Sequence, residues 1–231
     1  MSEKPILFND EMVRAILYGR KTQTRRPVKR STSDLGSGRW EDFEKPDAEV
    51  FESRSIASTP ILKFHGEHEC IHRVYPKWDK GDVLWVRECF RPWFPTAEDG
   101  QPVDGDWHAR YRADGSEQRL DVGWDCECDS PEESGLHKEP EKWHPSIHMP
   151  RWASRTNLKV KRVWVERVQD ITTDDVVAEG MLTFSRNPDD LIFPIRNFRR
   201  LWDSIYEKKG FGVDANPWVW CCEFEVVADE C

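Results

Sequence analysis

The chain has 231 residues and a formal net charge of -9, with 33% of its residues charged and 12% aromatic. No apolar run reaches the roughly 18 residues that a membrane-spanning helix needs, and the N-terminus lacks a basic region followed by an apolar stretch. We therefore expect a cytoplasmic protein without a membrane span. The seven irregularly spaced cysteines indicate reduced thiols rather than a disulfide framework.

The first predicted element is a helix that begins at Asp10, with Asn9 as a suitable N-cap and Gly19 as its stop. Apolar residues recur on one face at helical spacing: Met12, Val13, Ile16 and Leu17. The sequence GRKTQTRR, residues 19–26, follows at once and places four cations just past the helix C-terminus. The helix dipole favours positive charge there, which explains part of this cluster.

Two long stretches interrupt the series of predicted helices and strands. Residues 31–77 mix Ser, Gly, Pro and charges with little periodicity, so we expect a long irregular insertion there. Residues 80–88 then predict a strand, because a turn precedes alternating apolar residues. A second insertion, residues 91–143, is strongly acidic: from Arg91 to Ile147 there are 14 Asp and Glu residues against 6 Lys and Arg. This acidic insertion is a candidate surface for a protein partner.

The remaining elements follow in close order. Residues 156–170 alternate as a strand, and the parity changes near Lys161, which indicates a bulge. Residues 172–181 predict a short helix with a Thr cap, and Pro194 opens a longer one. A strand over 217–227 ends the pattern. The order of helices and strands predicts an α+β domain around a small antiparallel sheet or barrel.

Lys21 and Thr24, three residues apart in the cationic cluster, are candidate catalytic residues. A Thr hydroxyl becomes nucleophilic when a base takes its proton, and a Lys is such a base only when its pKa falls. Burial and nearby cations both lower it. The same cations also suit phosphate binding, with tryptophans that stack on bases. From spacing alone, a solvated basic turn explains the cluster better than a catalytic site does.

A metal site has weaker support. His65 and His68 fit zinc spacing loosely, and a one-residue gap such as that from Cys70 to His72 fits poorly. Cys126 and Cys128 lie downstream. We expect no metal and no organic cofactor. The segment HPSIHMPRWASR, residues 144–155, is stiff and cationic, and suits either the wall of a nucleotide pocket or a rigid surface connection.

Five blocks of the sequence, in this order, resemble the ASCH domain family, especially its longer phage and prophage members. The blocks are PILFNDEMVRAILYGRKTQTRRPVK (5–29), GDVLWVREC (81–89), HPSIHMPRWASR (144–155), VQDITTDDVVAEGM (168–181), and FRRLWDSIYEKKG followed by NPWVWCCEFEV. The resemblance implies a PUA-like fold, a small β-barrel flanked by helices. It implies a single domain over 1–231 with its core at about 5–30, 78–90 and 144–228, and with insertions at 31–77 and 91–143.

Many family members carry Glu where this sequence has Thr24. The bacterial N4-acetylcytidine amidohydrolases look like this sequence here, with Lys as base, Thr as nucleophile and a later Glu completing the site. That resemblance implies catalytic roles for Lys21, Thr24 and Glu179. It also implies that Arg26 steadies an oxyanion or holds Glu179 in place, and the further candidates for substrate binding are Arg20, Arg155 and Trp152.

The resulting expectation is an amidohydrolase that acts on an acylated pyrimidine nucleoside such as N4-acetylcytidine. The partner is then a modified nucleoside or RNA. The alternative is a non-catalytic RNA-binding module of the PUA-like class. In that case five cations hold phosphates: Arg20, Lys21, Arg25, Arg26 and Arg155.

Overall fold

The structure is a computed structural model. It describes residues 2–29, 49–52, 60–65, 71–93, 107–120, 142–181 and 194–227. The chain divides into two compact units. The first comprises residues 1–2, 19–82 and 159–225, and the second comprises 3–18, 83–158 and 226–231.

The secondary structure is dominated by strands. Within the described residues the strands are β1 (Glu3–Leu7), β2 (Gln23–Pro27), β3 (Glu49–Glu52), β4 (Pro60–His65), β5 (Ile71–Val74), β6 (Val83–Arg87), β7 (Phe90–Trp93), β8 (His108–Tyr111), β9 (Glu117–Arg119), β10 (Asn157–Arg167) and β11 (Trp218–Val227). The α-helices there are α1 (Asp10–Leu17), α2 (Thr173–Ala178) and α3 (Pro194–Tyr206). Short 3-10 turns lie at Ser146–His148, Arg151–Ala153, Val168–Asp170, Glu207–Lys209 and Val213–Ala215. The helices and strands predicted from residues 10, 80, 156, 172, 194 and 217 onward are thus confirmed.

The first unit is built on strands β10, β11 and β2, which neighbour one another in that order. β11 pairs with β2 in the antiparallel sense, with Cys222 opposite Thr24 and Cys221 opposite Arg25. Helices α2 and α3 cover apolar residues of this unit, where Val176, Phe198 and Trp202 are buried together. Val176 is the one buried side chain of α2. Because Val176 belongs to this shared core, the packing fixes α2 beside the strands.

The parity change predicted near Lys161 appears in the burial of β10. Leu158 and Val160 are buried, Lys161 and Arg162 are both exposed, and Val163 is buried again. Two consecutive exposed residues shift the alternation by one position, as the sequence pattern indicated.

The expectation of an irregular insertion over residues 31–77 was wrong for three short segments. β3, β4 and β5 form an antiparallel sheet of their own, in the order β3–β4–β5. Strands of four to six residues carry too few positions for a clear alternation of polar and apolar residues, and pairing between segments stabilises them. The local pattern therefore missed them.

The second unit contains β1 and β6, which pair in parallel, and helix α1. Asn9 caps α1 as predicted, since its side chain accepts a hydrogen bond from the Met12 amide at 2.9 Å. β7, β8 and β9 form a separate antiparallel sheet. Its inner face packs into a core that contains Phe90, Tyr111 and Met149.

The protein is a mixed α+β structure, but the predicted β-barrel is not observed. β2 pairs with β11 alone among the described strands, so the sheet is open at this edge. Barrel closure needs a pairing between the two edge strands of a sheet. None of the helices in the described ranges is both long and apolar enough to cross a bilayer.

Candidate active site

The C-terminus of α2 is tied to the chain just before β2. Lys21 and Glu179 form an antiparallel bridge, and the Thr22 amide donates to the carbonyl oxygen of Ala178 at 2.8 Å. Glu179 is the C-cap of α2. Because backbone hydrogen bonds fix both segments, their side chains meet at a defined point.

Lys21 and Glu179, predicted to share a site, are in direct contact. The Lys21 Nζ atom donates to Glu179 Oε2 at 2.6 Å and to the Glu179 carbonyl oxygen at 3.0 Å. Lys21 is 1% exposed and Glu179 8% exposed. Charged groups are seldom buried unless they are paired, and this pair meets that condition.

Arg25 holds the other oxygen of Glu179. Its Nη1 atom donates to Glu179 Oε1 at 3.2 Å, and its Nε atom donates to Glu166 Oε1 at 2.7 Å. Its Nη2 atom lies 3.0 Å from Asp175 Oδ1, an ion-pair distance without the alignment of a hydrogen bond. The buried arginine therefore joins three carboxylates on different segments of the first unit.

The roles of Arg25, Glu166 and Asp175 were not predicted from the sequence. Arg26 was expected to steady an oxyanion or to hold Glu179, and Arg25 is the residue that makes the contact with Glu179 described above. The Arg26 Nη1 atom donates to the carbonyl oxygen of Arg25 at 3.2 Å. Recognising residues 23–27 as a strand would have distinguished the two arginines. Alternate residues of a strand share a face, so the neighbours Arg25 and Arg26 point to opposite faces.

Burial lowers the pKa of Lys21 below its ordinary value because the ammonium form loses its hydration. The charge and the hydrogen bond of Glu179 act in the opposite direction, and the positive charges of Arg26 and Arg25 lower the pKa further. The net direction is downward. This is the direction that a lysine needs in order to act as a base near neutral pH.

Thr24 is fully buried, at 0% exposure, and its Oγ1 atom has no hydrogen-bond partner within the described part of the chain. No hydrogen bond therefore joins it to Lys21. Leaving a buried hydroxyl unpaired costs about 1–3 kcal/mol. Such a group calls for an explanation, and a catalytic role is one.

The cysteines opposite β2 do not compete as nucleophiles. Cys222 is the cross-strand partner of Thr24, and burial raises the pKa of its thiol to about 12. Burial also raises the pKa of Cys221 well above its ordinary value. Since the thiolate is the reactive form, both side chains are inert near neutral pH.

The other predicted binding residues lie in different places. Arg20 is half-buried in the first unit, and Trp152, 39% exposed, belongs to the second unit with Arg155. Arg155 is engaged within that unit: its Nε and Nη2 atoms donate to the two carboxylate oxygens of buried Glu88 at 2.9 and 2.8 Å. Its Nη1 atom donates to Asp114 Oδ2 at 3.0 Å.

The candidate metal ligands are not tested by the structure. His68, Cys70, Cys126 and Cys128 lie outside the described residues, and the side chains of His65 and His72 are outside them too. In the remaining described ranges, no three His, Cys, Asp or Glu side chains are grouped so that they would hold a metal ion.

No protein-family model matches the sequence, and no curated protein matches it either. The chain is similar to a crystal structure of an ASCH domain from Lactobacillus crispatus JV V101, with 10% identity over 97% of this chain and 79% of that chain. The TM-score is 0.36, a level of similarity on which no argument about fold or function rests. The family named by that structure is the one that the five sequence blocks resemble.

Proposed function

We propose that the chain is an amidohydrolase that removes the acyl group from an acylated pyrimidine nucleoside such as N4-acetylcytidine. One observation carries the proposal. A buried lysine with a lowered pKa, Lys21, contacts Glu179. The strand that begins two residues after Lys21 holds Thr24, a buried hydroxyl that has no hydrogen-bond partner among the described residues. These are the base, the carboxylate and the nucleophile that acyl transfer to a hydroxyl requires.

In the first step Lys21 Nζ takes the proton of Thr24 Oγ1, and Oγ1 forms a bond to the acyl carbon. The bond from that carbon to the exocyclic nitrogen breaks, and Lys21 returns the proton to this nitrogen, which releases cytidine. In the second step Lys21 takes a proton from water, the water oxygen bonds to the acyl carbon, and the bond from that carbon to Thr24 Oγ1 breaks. Lys21 returns its proton to Oγ1, and the acetic acid that forms loses its proton to solvent and leaves as acetate.

The step from Thr24 to Lys21 requires the two side chains to come within hydrogen-bond reach. In the unliganded chain Lys21 Nζ donates to Glu179, and catalytic hydrogen bonds are often formed only in the substrate complex. Glu179 keeps the amine in place, and Arg25 fixes the carboxylate through its second oxygen. In the proposal Glu179 assists when Lys21 delivers the proton to the exocyclic nitrogen.

The test is to incubate the purified 231-residue chain with N4-acetylcytidine and to follow cytidine release by chromatography. Thr24→Val keeps the shape of the side chain without the hydroxyl, and we expect no release above the uncatalysed rate. Lys21→Met keeps the length without the amine, and we expect a loss of about 100-fold or more, the usual contribution of a general base.

Two neighbouring residues give matched controls. Thr22→Val and Lys29→Met change the same residue types at exposed positions, and both variants should retain wild-type release. Circular dichroism checks that each variant is folded. Release that persists in folded Thr24→Val or folded Lys21→Met would refute the mechanism.

The alternative of a non-catalytic RNA-binding module is less well supported. It relies on five cations, and three of them are paired with carboxylates in the structure: Lys21 with Glu179, Arg25 with Glu166, and Arg155 with Glu88. Cations that are already neutralised inside the fold have little charge to offer a phosphate.

A further inference from the structure

A continuous run of hydrogen bonds links Lys21 to strand β10. Lys21 Nζ donates to one oxygen of Glu179 at 2.6 Å, and Arg25 Nη1 donates to the other at 3.2 Å. Arg25 Nε donates in turn to Glu166 Oε1 at 2.7 Å, and Trp164 Nε1 donates to Glu166 Oε2 at 2.8 Å. Both oxygens of Glu166 are therefore engaged, and the carboxylate is held in one orientation between Trp164 and Arg25.

Glu166 is the carboxylate that Arg25 contacts at the shortest distance. The guanidinium lies 2.7 Å from Glu166, 3.0 Å from Asp175 and 3.2 Å from Glu179. The Arg25 side chain is 1% exposed, and that of Glu166 is 19% exposed. A cation buried to this extent needs a partner of opposite charge close by, and Glu166 meets that need.

The charge of Arg25 connects Glu166 to Lys21. Arg25 is shared among several carboxylates, and each of them takes up part of its charge in proportion to its proximity. Because Glu166 is the nearest, Glu179 keeps more of its own negative charge for the ammonium group of Lys21. A neutral side chain at position 166 would let Arg25 turn more of its charge to Glu179.

We propose that Glu166 is a positioning residue for the base Lys21: it holds Arg25, and through Arg25 it sets how strongly Glu179 binds the amine. The inference rests on the proposed function, since it concerns the same base. Glu166 makes or breaks no bond in the reaction.

The residues that carry this inference lie outside the family resemblance. Trp164 and Glu166 belong to β10, between the blocks 144–155 and 168–181 that resemble the ASCH family. The assignment of Glu166 therefore comes from the hydrogen bonds of this chain alone.

The pKa of Lys21 is the quantity that Glu166 should control. Burial lowers this pKa, the charge and the hydrogen bond of Glu179 raise it, and the charges of Arg26 and Arg25 lower it. The carboxylate of Glu166 offsets the charge of Arg25 and so keeps the pKa from falling further. That limit matters because an amine with a very low pKa is too weak a base to take the proton of a hydroxyl.

Other ionisable groups face this cluster from the neighbouring elements. Asp175 of α2 lies against Arg25. On β11, Cys221 lies beside Arg25 and Cys222 lies opposite Thr24 in the strand register, and burial raises the pKa of both thiols. A substitution at position 166 leaves these groups in place, so its effect on Lys21 can be measured against a constant background.

The test is an NMR titration of the Lys21 side chain in the wild-type chain and in Glu166→Gln, together with the pH profile of cytidine release. Glu166→Gln keeps the size of the side chain and removes its charge. We expect the pKa of Lys21 to fall by about one unit. The rising limb of the profile should move to lower pH by the same amount, and the maximal rate should drop because the base is weaker.

Two further variants separate charge from packing. Glu225→Gln removes an exposed carboxylate of the same unit, one that is paired with Lys161, and both readouts should keep their wild-type values. Glu166→Asp retains the charge on a shorter side chain, and its readouts should lie closer to wild type than those of Glu166→Gln. Equal shifts in Glu166→Asp and Glu166→Gln would indicate a packing role and overturn the proposal.

The two readouts distinguish this inference from the proposed function. If the wild-type chain releases no cytidine but Glu166→Gln still lowers the pKa of Lys21, the proposed function fails and the control of Lys21 by Glu166 stands. If the wild-type chain releases cytidine and folded Glu166→Gln changes neither the titration nor the profile, the inference fails and the proposed function stands.

A second measurement uses the wild-type chain alone and does not depend on the folding of variants. Nitrogen-15 labelling of arginine reports how fast each Nε proton exchanges with solvent. The Nε proton of Arg25 is bound to Glu166, so it should exchange about tenfold or more slowly than that of exposed Arg199. Equal exchange rates for the two arginines would overturn the contact on which the proposal rests.

Discussion

Arg25 shows how one residue organises the candidate site. Two buried cations, Lys21 and Arg25, face three carboxylates from β10 and α2, and Arg25 alone contacts all three. A buried charge is stable only when its partners compensate for lost hydration. Removing the arginine therefore affects Glu166, Asp175 and Glu179 at once.

We expect Arg25→Met to lower the free energy of unfolding by about 3 kcal/mol, because it leaves the partly buried Glu166 and Asp175 without their counter-charge and takes one of two cations from the buried Glu179. Urea denaturation measures the loss. Arg199→Met, at an exposed position on α3, should stay within about 0.5 kcal/mol of wild type. Similar losses for the two variants would contradict the role given to Arg25.

The sequence pointed to some residues of the site and not to others. The family resemblance named Lys21 and Glu179 for one site, and the two side chains are in direct contact. The catalytic roles given to them stay a prediction. The cluster around Arg25 was not predicted, because residues 19–26 showed no strand pattern and the partners are about 140–155 positions away. Contacts at that separation depend on strand register, which the local sequence does not contain.

At the scale of elements, α2 is short, and hydrogen bonds at both of its ends add to the core packing that holds it in place. Thr172 Oγ1 accepts from the Asp175 amide at 3.2 Å, and the Asp175 carboxylate accepts from the Thr172 amide at 3.0 Å, a complete capping box. At the other end the Glu179 amide donates to the Asp175 carbonyl oxygen at 2.8 Å. A six-residue helix has little stability of its own, so the cap helps to hold Glu179.

Thr172→Ala should lower the free energy of unfolding by about 1 kcal/mol, the usual cost of losing an N-cap. It should also speed hydrogen exchange at the Glu179 amide, because the helix that carries it frays. Thr173→Ala, at the next exposed position, keeps the cap and serves as the control. Unchanged exchange at Glu179 in Thr172→Ala would contradict the link between cap and site.

The elements with strong local signals were the ones predicted correctly. α1 and α3 have apolar stripes and clear starts, β6 alternates in burial, and β11 is rich in aromatic and β-branched residues. β1 and β2 were missed, because EKPIL ends in an unbroken apolar run and QTRRP contains no aliphatic or aromatic residue, so neither alternates. Pairing with β6 and β11 stabilises these two strands in the fold.

At the scale of the whole molecule, the order of the predicted helices and strands indicated the α+β class but not which strands pair in the sheet. The barrel was implied by the resemblance, and the edge at β2 remains open. Closure depends on which distant strands pair, and no local pattern carries that information.

Net charge was a poor guide to local charge in this molecule. The chain carries -9 overall, and the acidic insertion accounts for most of it. Within that insertion the register of β7, β8 and β9 nevertheless gathers three arginines on one face. The distribution of charge on the fold therefore bears on binding more directly than the sum does.

The central claim is that Lys21 is available as a base near neutral pH, and a titration of its side chain by NMR tests it most directly. With labelled lysine, the Cε signal that is lost in Lys21→Arg identifies the residue. We predict a pKa below the ordinary lysine value of about 10.4, and cytidine release that rises with pH through the same pKa, because the neutral amine is the active form. A Lys21 that titrates at or above the ordinary value would contradict the account.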